Sequence, residues 1–204
     1  AGRRGNRVHM YGDSVVYGYD KKSPAGLASR EAHKKINHFN CNRPRGCCQM
    51  KKYELTEETT NIFGKTLHRI RATRDFSNVH AGDLGGFIEN EFNLSHDENA
   101  WVYGNARVGG KALVSGNALV YGNALVKGTR DIYWIPCIGS RDGTTTFFRN
   151  ANNSISVSCG CFYGTIDEFA AAVTKTHGDN EHAQAYRHAI EIAKLRIKLE
   201  DAES

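Results

Sequence analysis

Proline is scarce in this chain, 3 residues of 204, beside 21 glycines. Glycine in that number, with no collagen period and no proline-rich stretch, points to regular tight turns of the kind repeating β structure needs. Long apolar runs are missing too. No stretch approaches the roughly 18–20 residues that span a bilayer. No basic start followed by an apolar stretch and a small-residue cleavage site reads as a signal peptide. A spaced disulfide framework is also lacking. The six cysteines are Cys41, Cys47, Cys48, Cys137, Cys159 and Cys161. The vicinal pair Cys47-Cys48 and the close pair Cys159-x-Cys161 read as reduced thiols, so the expected location is cytoplasmic. The remaining composition, 40% hydrophobic and 24% charged, suits a globular chain of roughly one to three folding units.

Excess positive charge is confined to the first quarter. Residues 1–49 carry 10 Lys+Arg against 3 Asp+Glu, whereas residues 50–204 carry 17 against 19. The texture changes at Met50, one of two methionines. Before it, residues 23–49 are rich in Arg, Lys, His and Asn and have little hydrophobic period. After it, residues 51–56 open as an ordinary strand. The expectation is that Met50 starts the compact protein, and that residues 1–49 are a basic, poorly ordered extension or linker. Within that extension, residues 7–12 and 13–18 match the later repeat loosely, as the tail of another coil or by coincidence. His33, His38, Cys41, Cys47 and Cys48 lie near Arg43 and Arg45. They suggest a crude metal knuckle or a nucleic-acid-binding arm, against the plainer reading of a basic tail.

Residues 99–128 are five consecutive hexads: Asn-Ala-Trp-Val-Tyr-Gly, Asn-Ala-Arg-Val-Gly-Gly, Lys-Ala-Leu-Val-Ser-Gly, Asn-Ala-Leu-Val-Tyr-Gly and Asn-Ala-Leu-Val-Lys-Gly. Six is a multiple of two, so strand alternation keeps its phase through every unit. The even positions read only Ala, Val and Gly and are expected to point inward. The odd positions, among them Trp101, Tyr103, Asn105, Arg107, Lys111, Leu113 and Ser115, are expected to point outward. A slip of one residue would exchange the two faces, so register is tightly set.

This pattern resembles the hexapeptide repeat of left-handed parallel β-helices. In that family three hexads complete one triangular coil, which implies that residues 18 apart stack. Here that spacing sets Tyr103 on Tyr121, Asn99 on Asn117, Asn105 on Asn123 and Val102 on Val120. Like on like suits a layered coil. A twelve-residue coil would set Tyr103 on Ser115 instead. The implied fold is mainly β: a short left-handed parallel β-helix of about two coils at residues 93–130. An N-terminal β cap at 50–92 and a C-terminal α+β domain at 131–204, a small β-sheet plus two helices, complete it. Two bare coils would be marginal, because ordering each residue costs ~1–2 kcal/mol and a buried Val returns only ~1.5–3 kcal/mol. Caps must cover the open ends.

In the first cap, residues 53–55 and 67–72 read as strands joined by a polar turn at 59–65. A glycine-rich entry loop follows at 75–86, and Phe87 and Ile88 begin the coil. In the second cap, residues 132–138, 145–148 and 155–162 read as strands separated by turns. Thr165-Ile-Asp-Glu168 is a capping box before one helix, and Gly178 ends it. Asp179 or Asn180 caps a second helix, whose Tyr186, Ile190, Ala193 and Ile197 share one face. Both helices are expected to pack on the small sheet.

Chemistry is harder to find. Many members of the family are acyltransferases with a catalytic His on or near the coil, but these hexads contain none. The candidates are His96, with Asp97 as an orienting partner, and His80; a polar turn explains both as well. Cys137, Cys159 and Cys161 with His177 would make a zinc set. Cys159 and Cys161 also fit as core residues, since alternation puts them on one side of a strand. Leu113, Leu119 and Leu125 fall on different sides, singly exposed, beneath the C-terminal helices or in a side-by-side trimer contact, which the family often forms. From residue 50 onward the order of parts is similar to uncharacterised phage and bacterial proteins, some labelled transferases on repeat resemblance alone.

The favoured reading is a non-enzymatic binding or assembly module of phage or prophage origin. Its contact surface would comprise Trp101, Tyr103, Tyr121, Asn105 and Asn123, toward a protein partner, with no cofactor and no membrane. Acyltransferase-like catalysis is the first alternative, requiring acyl-CoA binding and loss of activity in His96→Ala. Nucleic-acid binding through residues 1–49 is the second, with steep salt dependence. The seam at Met50 is tested by expressing residues 50–204 alone. The expected product is soluble and melts cooperatively, and an aggregate would place essential packing in residues 1–49.

Overall fold

A computed structural model of the protein describes residues 9–11, 14–16, 51–62 and 64–200. The chain divides into two compact units, Ala1–Cys48 and Gln49–Ser204. The candidate knuckle of His33, His38, Cys41, Cys47, Cys48, Arg43 and Arg45 lies outside the described residues, as does Met50. In the first unit, β1 (His9–Tyr11) and β2 (Ser14–Val16) pair antiparallel, His9 opposite Val16 and Tyr11 opposite Ser14. This antiparallel pairing is not the parallel pairing between layers that a coil would need, and the rest of residues 7–18 lies outside the described residues.

The second unit is mainly β, with several sheets, none of them closed, and two helices among the described residues. Neither helix is long and apolar enough to cross a membrane. Its first strands are β3 (Tyr53–Ile62), β4 (Lys65–Ala72) and β5 (Leu84–Ile88). β3 runs seven residues beyond the short strand expected at 53–55, and β4 begins two residues before the one expected at 67–72. The supposed turn at 59–65 is mostly ladder, with Thr59 opposite His68 and Ile62 opposite Lys65. Threonine and isoleucine there are β-branched, which favours strand over turn. The ladder shifts register between Leu55 and Thr59.

The hexads form four two-residue strands: β6 (Trp101–Val102), β7 (Arg107–Val108), β8 (Leu119–Val120) and β9 (Leu125–Val126). β6 pairs with β8 and β7 with β9, both parallel, and each partner lies eighteen residues on, Val102 opposite Val120 and Val108 opposite Val126. The ladder bonds run from one layer to the next, as from the Trp101 amide to the Ala118 carbonyl (3.1 Å) and from the Gly109 amide to the Val126 carbonyl (2.9 Å). Upstream the step is twenty. Ile88 sits opposite Val108, and Leu94 bridges Val114. Two residues are therefore inserted between Leu94 and Trp101, in the corner that holds His96.

Every Ala and Val of the five hexads is at most 1% exposed, so the inward assignment of those positions holds. It fails for glycine. Gly104, Gly110, Gly116 and Gly122 have φ of +57°, +60°, +65° and +65° and sit at the corners. There the Ala106 amide donates back to the Tyr103 carbonyl (3.1 Å), and Ala112, Ala118 and Ala124 repeat the bond. A turn with positive φ at its second residue wants glycine. Strand alternation breaks at such a turn, which is why glycine leaves the interior.

The second sheet is an antiparallel meander of β10 (Ile132–Ile138), β11 (Gly143–Arg149), β12 (Ile155–Cys159) and β13 (Phe162–Thr165). Helices α1 (Ile166–His177) and α2 (Glu181–Arg196) follow. Thr165 and Glu168 form the expected capping box, Gly178 ends α1, and Asn180 caps α2. The helices bury Phe169, Val173, Tyr186 and Ile190, with Ile197 just after α2, against Phe147 and Val157 of the sheet. A separate core joins the hexad Ala and Val residues to Tyr53, Ile70, Phe76 and Phe148.

The corners give a paired prediction. At Gly104 an added Cβ would meet nothing, whereas at Gly110 it would collide with the Lys127 carbonyl oxygen. Gly104→Ala should cost about 1–2 kcal/mol from the left-handed backbone alone. Gly110→Ala should cost at least twice that in chemical denaturation, and equal losses would contradict the packing of this corner.

Candidate functional site

The outward tyrosines are where like stacks on like. The Tyr103 and Tyr121 rings lie 4.3 Å apart and 3° from parallel, held by the eighteen-residue register of the strands beneath them. Tyr163, from β13, tilts against Tyr121 at 6.0 Å. Its hydroxyl occupies the space that a Cβ on Gly122 would need. Tyr103 and Tyr121 are half-buried, and Tyr163 is 49% exposed. Burial raises the pKa of both stacked phenols above the ordinary value, so they remain neutral hydroxyls in the physiological range. Asn105 is exposed at the corner beside Tyr103, while Asn123 is half-buried and its carbonyl accepts from the Ala151 amide (3.0 Å). At an equivalent corner the Asn99 side chain donates to Asn117 at 3.0 Å, one layer on.

No protein-family model matches this chain, and no curated protein matches it. What the site can do therefore rests on its own geometry.

Trp101 does not belong to the surface. It points out of the layers as its odd position requires, but it is 1% exposed. The first cap folds over it, setting Phe76 edge-on at 5.2 Å and Tyr53 at 6.2 Å. An outward position in one layer becomes interior once a neighbouring element covers it, and alternation alone cannot show that. Leu119 has a similar fate. It packs against the hydrophobic core, and its amide donates to the Thr146 hydroxyl of β11 (3.2 Å), so a strand rather than a helix covers that side.

The histidine candidates are separate. His80 is an exposed turn residue whose Nδ1 lies 3.9 Å from Asp75, while Asp83 accepts from the His80 amide (2.8 Å). His96 is half-buried, stacked on Tyr53 at 4.2 Å. Its Nδ1 accepts from the Lys52 amide (3.1 Å), which assigns the proton to Nε2, 4.0 Å from Glu91 Oε2. Burial is the main cause lowering its pKa. The lone pair that a general base would offer at Nδ1 is already engaged. Lys52, Tyr53 and Glu91 flank the ring, and the Asp97 amide donates to the Ser95 hydroxyl (3.0 Å).

The thiol candidates are not assembled either. Cys137 and Cys161 are exposed and Cys159 is partly buried. Gly160 between the pair has φ +56° and turns the chain from β12 into β13. The expected same-side placement of Cys159 and Cys161 fails for that reason. The Thr145 hydroxyl donates to Cys159 Sγ (3.1 Å), and the Tyr186 hydroxyl lies 3.5 Å from it. His177 packs on the His182 and Tyr186 rings. Among the described residues no group of three or more His, Cys, Asp or Glu is placed to hold a metal ion.

Sequence reasoning missed Tyr163, which only the sheet brings to the stack, and Lys52. Lys52 is fully buried. Its ammonium donates to the Ala100 carbonyl (2.7 Å), reaches the Asp97 and Glu98 carbonyls (3.4 Å each), and lies over the Phe76 ring. It closes the inserted corner, where three carbonyls turn inward. Burial, with Arg74 adding to it, lowers its pKa to about 8. Between about pH 8 and the ordinary value of 10.5 the unfolded chain holds a proton that the folded chain has released. Stability therefore rises with pH in that window. The stability of the wild type relative to Lys52→Met should increase by about 2 kcal/mol between about pH 7.5 and about pH 9.5. A flat difference in denaturant titrations would show an ammonium with an ordinary pKa.

Proposed function

We propose that the Gln49–Ser204 unit is a non-enzymatic binding or assembly module whose contact surface is the tyrosine face. The observation that carries this reading is the Tyr103–Tyr121 stack with half-exposed Tyr163 beside it. Tyrosine presents a large rigid area at low entropic cost and keeps a hydroxyl for the partner, which is why it is enriched at protein interfaces. Exposed Asn105 supplies a polar rim. Trp101 is excluded from the surface by its burial.

The scaffold in this reading is a short left-handed parallel β-helix. Support comes from the eighteen-residue parallel register, from the buried columns Ile88–Val108–Val126 and Val102–Val120, and from positive-φ glycines at the corners. The resemblance to hexapeptide-repeat proteins adds the hand of the coil, phage or prophage origin, residence in the bacterial host cytoplasm and a side-by-side trimer as the form of any self-assembly. The acyltransferase alternative gains nothing from His96, whose Nδ1 is occupied and whose ring is covered by Tyr53. Nucleic-acid binding through residues 1–49 concerns residues that are mostly outside the described part.

A photo-crosslinking residue at exposed Asn105 should form a discrete adduct with a bacterial host protein, and one at exposed Thr176 of α1 should not. Tyr163→Ser should weaken that partner's binding by about 10-fold or more, a typical loss for a central interface aromatic. Identical adducts from both positions, or unchanged binding by a Tyr163→Ser protein of unchanged melting temperature, would remove the tyrosine face as the contact surface.

A further inference from the structure

The second hexad, Asn105-Ala-Arg-Val-Gly-Gly110, departs from the other four in two outward positions. Its third residue is Arg107, where the others have Trp101, Leu113, Leu119 and Leu125. Its fifth is Gly109, where the others carry Tyr103, Ser115, Tyr121 and Lys127. The two departures meet in space. A missing side chain at Gly109 leaves a gap in the outer layer, and the gap is part of a cleft of about 150 Å³ lined by Arg107, Gly109, Leu67, Ile62 and Leu125. Leu67 and Ile62 come from the β3–β4 hairpin and Leu125 from the next layer, so the walls are apolar on two sides.

The charges around this cleft leave one valence unmatched. Lys65 is paired with Glu89 (2.9 Å). The Glu89 carboxylate also accepts from the Gly110 amide (2.6 Å), and these contacts, the amide first, hold its pKa below the usual carboxylate range. Lys127 is paired with Glu200 (3.2 Å). The Arg107 side chain has no hydrogen bond or ion pair among the described residues, and its Nε is buried without a partner. A guanidinium always carries its charge and presents a planar fork matched to a carboxylate. Leaving its N–H groups half-desolvated and unbonded is unfavourable.

We propose that this cleft binds a small monocarboxylate with an apolar body about the size of benzoate, its carboxylate on Arg107 and its body against Leu67, Ile62 and Leu125. A single negative charge balances the single unmatched positive one. A second would face the Glu89 carboxylate without compensation. The volume matches as well, since an apolar cavity of roughly 150 Å³ accepts a benzene ring. This site is independent of the tyrosine face and stands whether or not that face binds a protein.

The test is a titration of the full chain with benzoate, benzyl alcohol and inorganic phosphate, followed by calorimetry and by amide chemical shifts. Benzoate should bind saturably with a Kd of roughly 1 mM or tighter, shifting the amides of Arg107, Gly109 and Gly110. Benzyl alcohol, with the ring but no charge, and phosphate, with charge but no ring, should each bind at least about 10-fold more weakly. Arg107→Leu restores the residue type of the third, fourth and fifth hexads, so it should melt like the wild type and lose at least about 10-fold in benzoate affinity. Should that variant not fold, Gly109→Ser carries the same expectation. Its Cβ fills the gap and meets only the Glu89 side chain, Oε2 at 3.0 Å and Cβ at 3.5 Å. Absence of saturable benzoate binding, equal affinity for benzyl alcohol, or undiminished binding in a folded variant would each overturn the assignment.

Discussion

Backbone hydrogen bonds between layers eighteen residues apart constrain everything else in this unit. Each hexad strand has only two ladder residues, too few to hold a sheet by itself, so stability must come from repetition. Amides of Trp101, Tyr103, Arg107 and Gly109 donate to carbonyls of the following layer. The same register puts Val on Val and Tyr on Tyr. A parallel ladder with this step admits only small residues inside, which the Ala and Val columns provide at full burial. Change the step, and both the core and the aromatic stack lose their partners together.

Corners are the weak points of such a scaffold, because the chain must turn sharply while its polar groups stay bonded. The regular corners meet this with glycine at positive φ and an amide that bonds back three residues. Side chains from outside the hexads bond polar groups that these turns leave over. Lys52 closes the inserted corner at residues 97–100, the buried Asn93 side chain donates to the Gly110 and Ala112 carbonyls, and Asp131 accepts from the Lys127 and Gly128 amides. These three lie outside the hexads, two before them and one after. The flanking segments therefore finish the repeat chemically as well as covering its ends.

Both proposed sites follow from where the repeat keeps its rule and where it departs from it. Where the rule holds outside, at Tyr103 and Tyr121, stacked rings make a platform that Tyr163 extends. Where it breaks, at Arg107 and Gly109, a charged group appears beside a missing side chain, and the cleft results. A repeat scaffold makes both kinds of site cheaply, since its interior fixes the fold and leaves the outer positions free to vary.

The hexad pattern by itself determined the layer spacing, the buried Ala and Val columns, the Tyr103–Tyr121 stack and the Asn99–Asn117 pair. These are periodic features, and period is a property of the chain alone. The capping box at Thr165 and Glu168 was legible for a like reason, being a local bond over three residues. Only tertiary structure decided which outward positions stay outward. Trp101 disappears beneath Phe76 and Tyr53, Lys52 is drawn into a corner, Tyr163 joins the aromatic face, and among the described residues Arg107 is left without a counter-ion. Each of these depends on what a distant strand places alongside. Burial and desolvation are set by neighbours in space, and no spacing along the sequence records them.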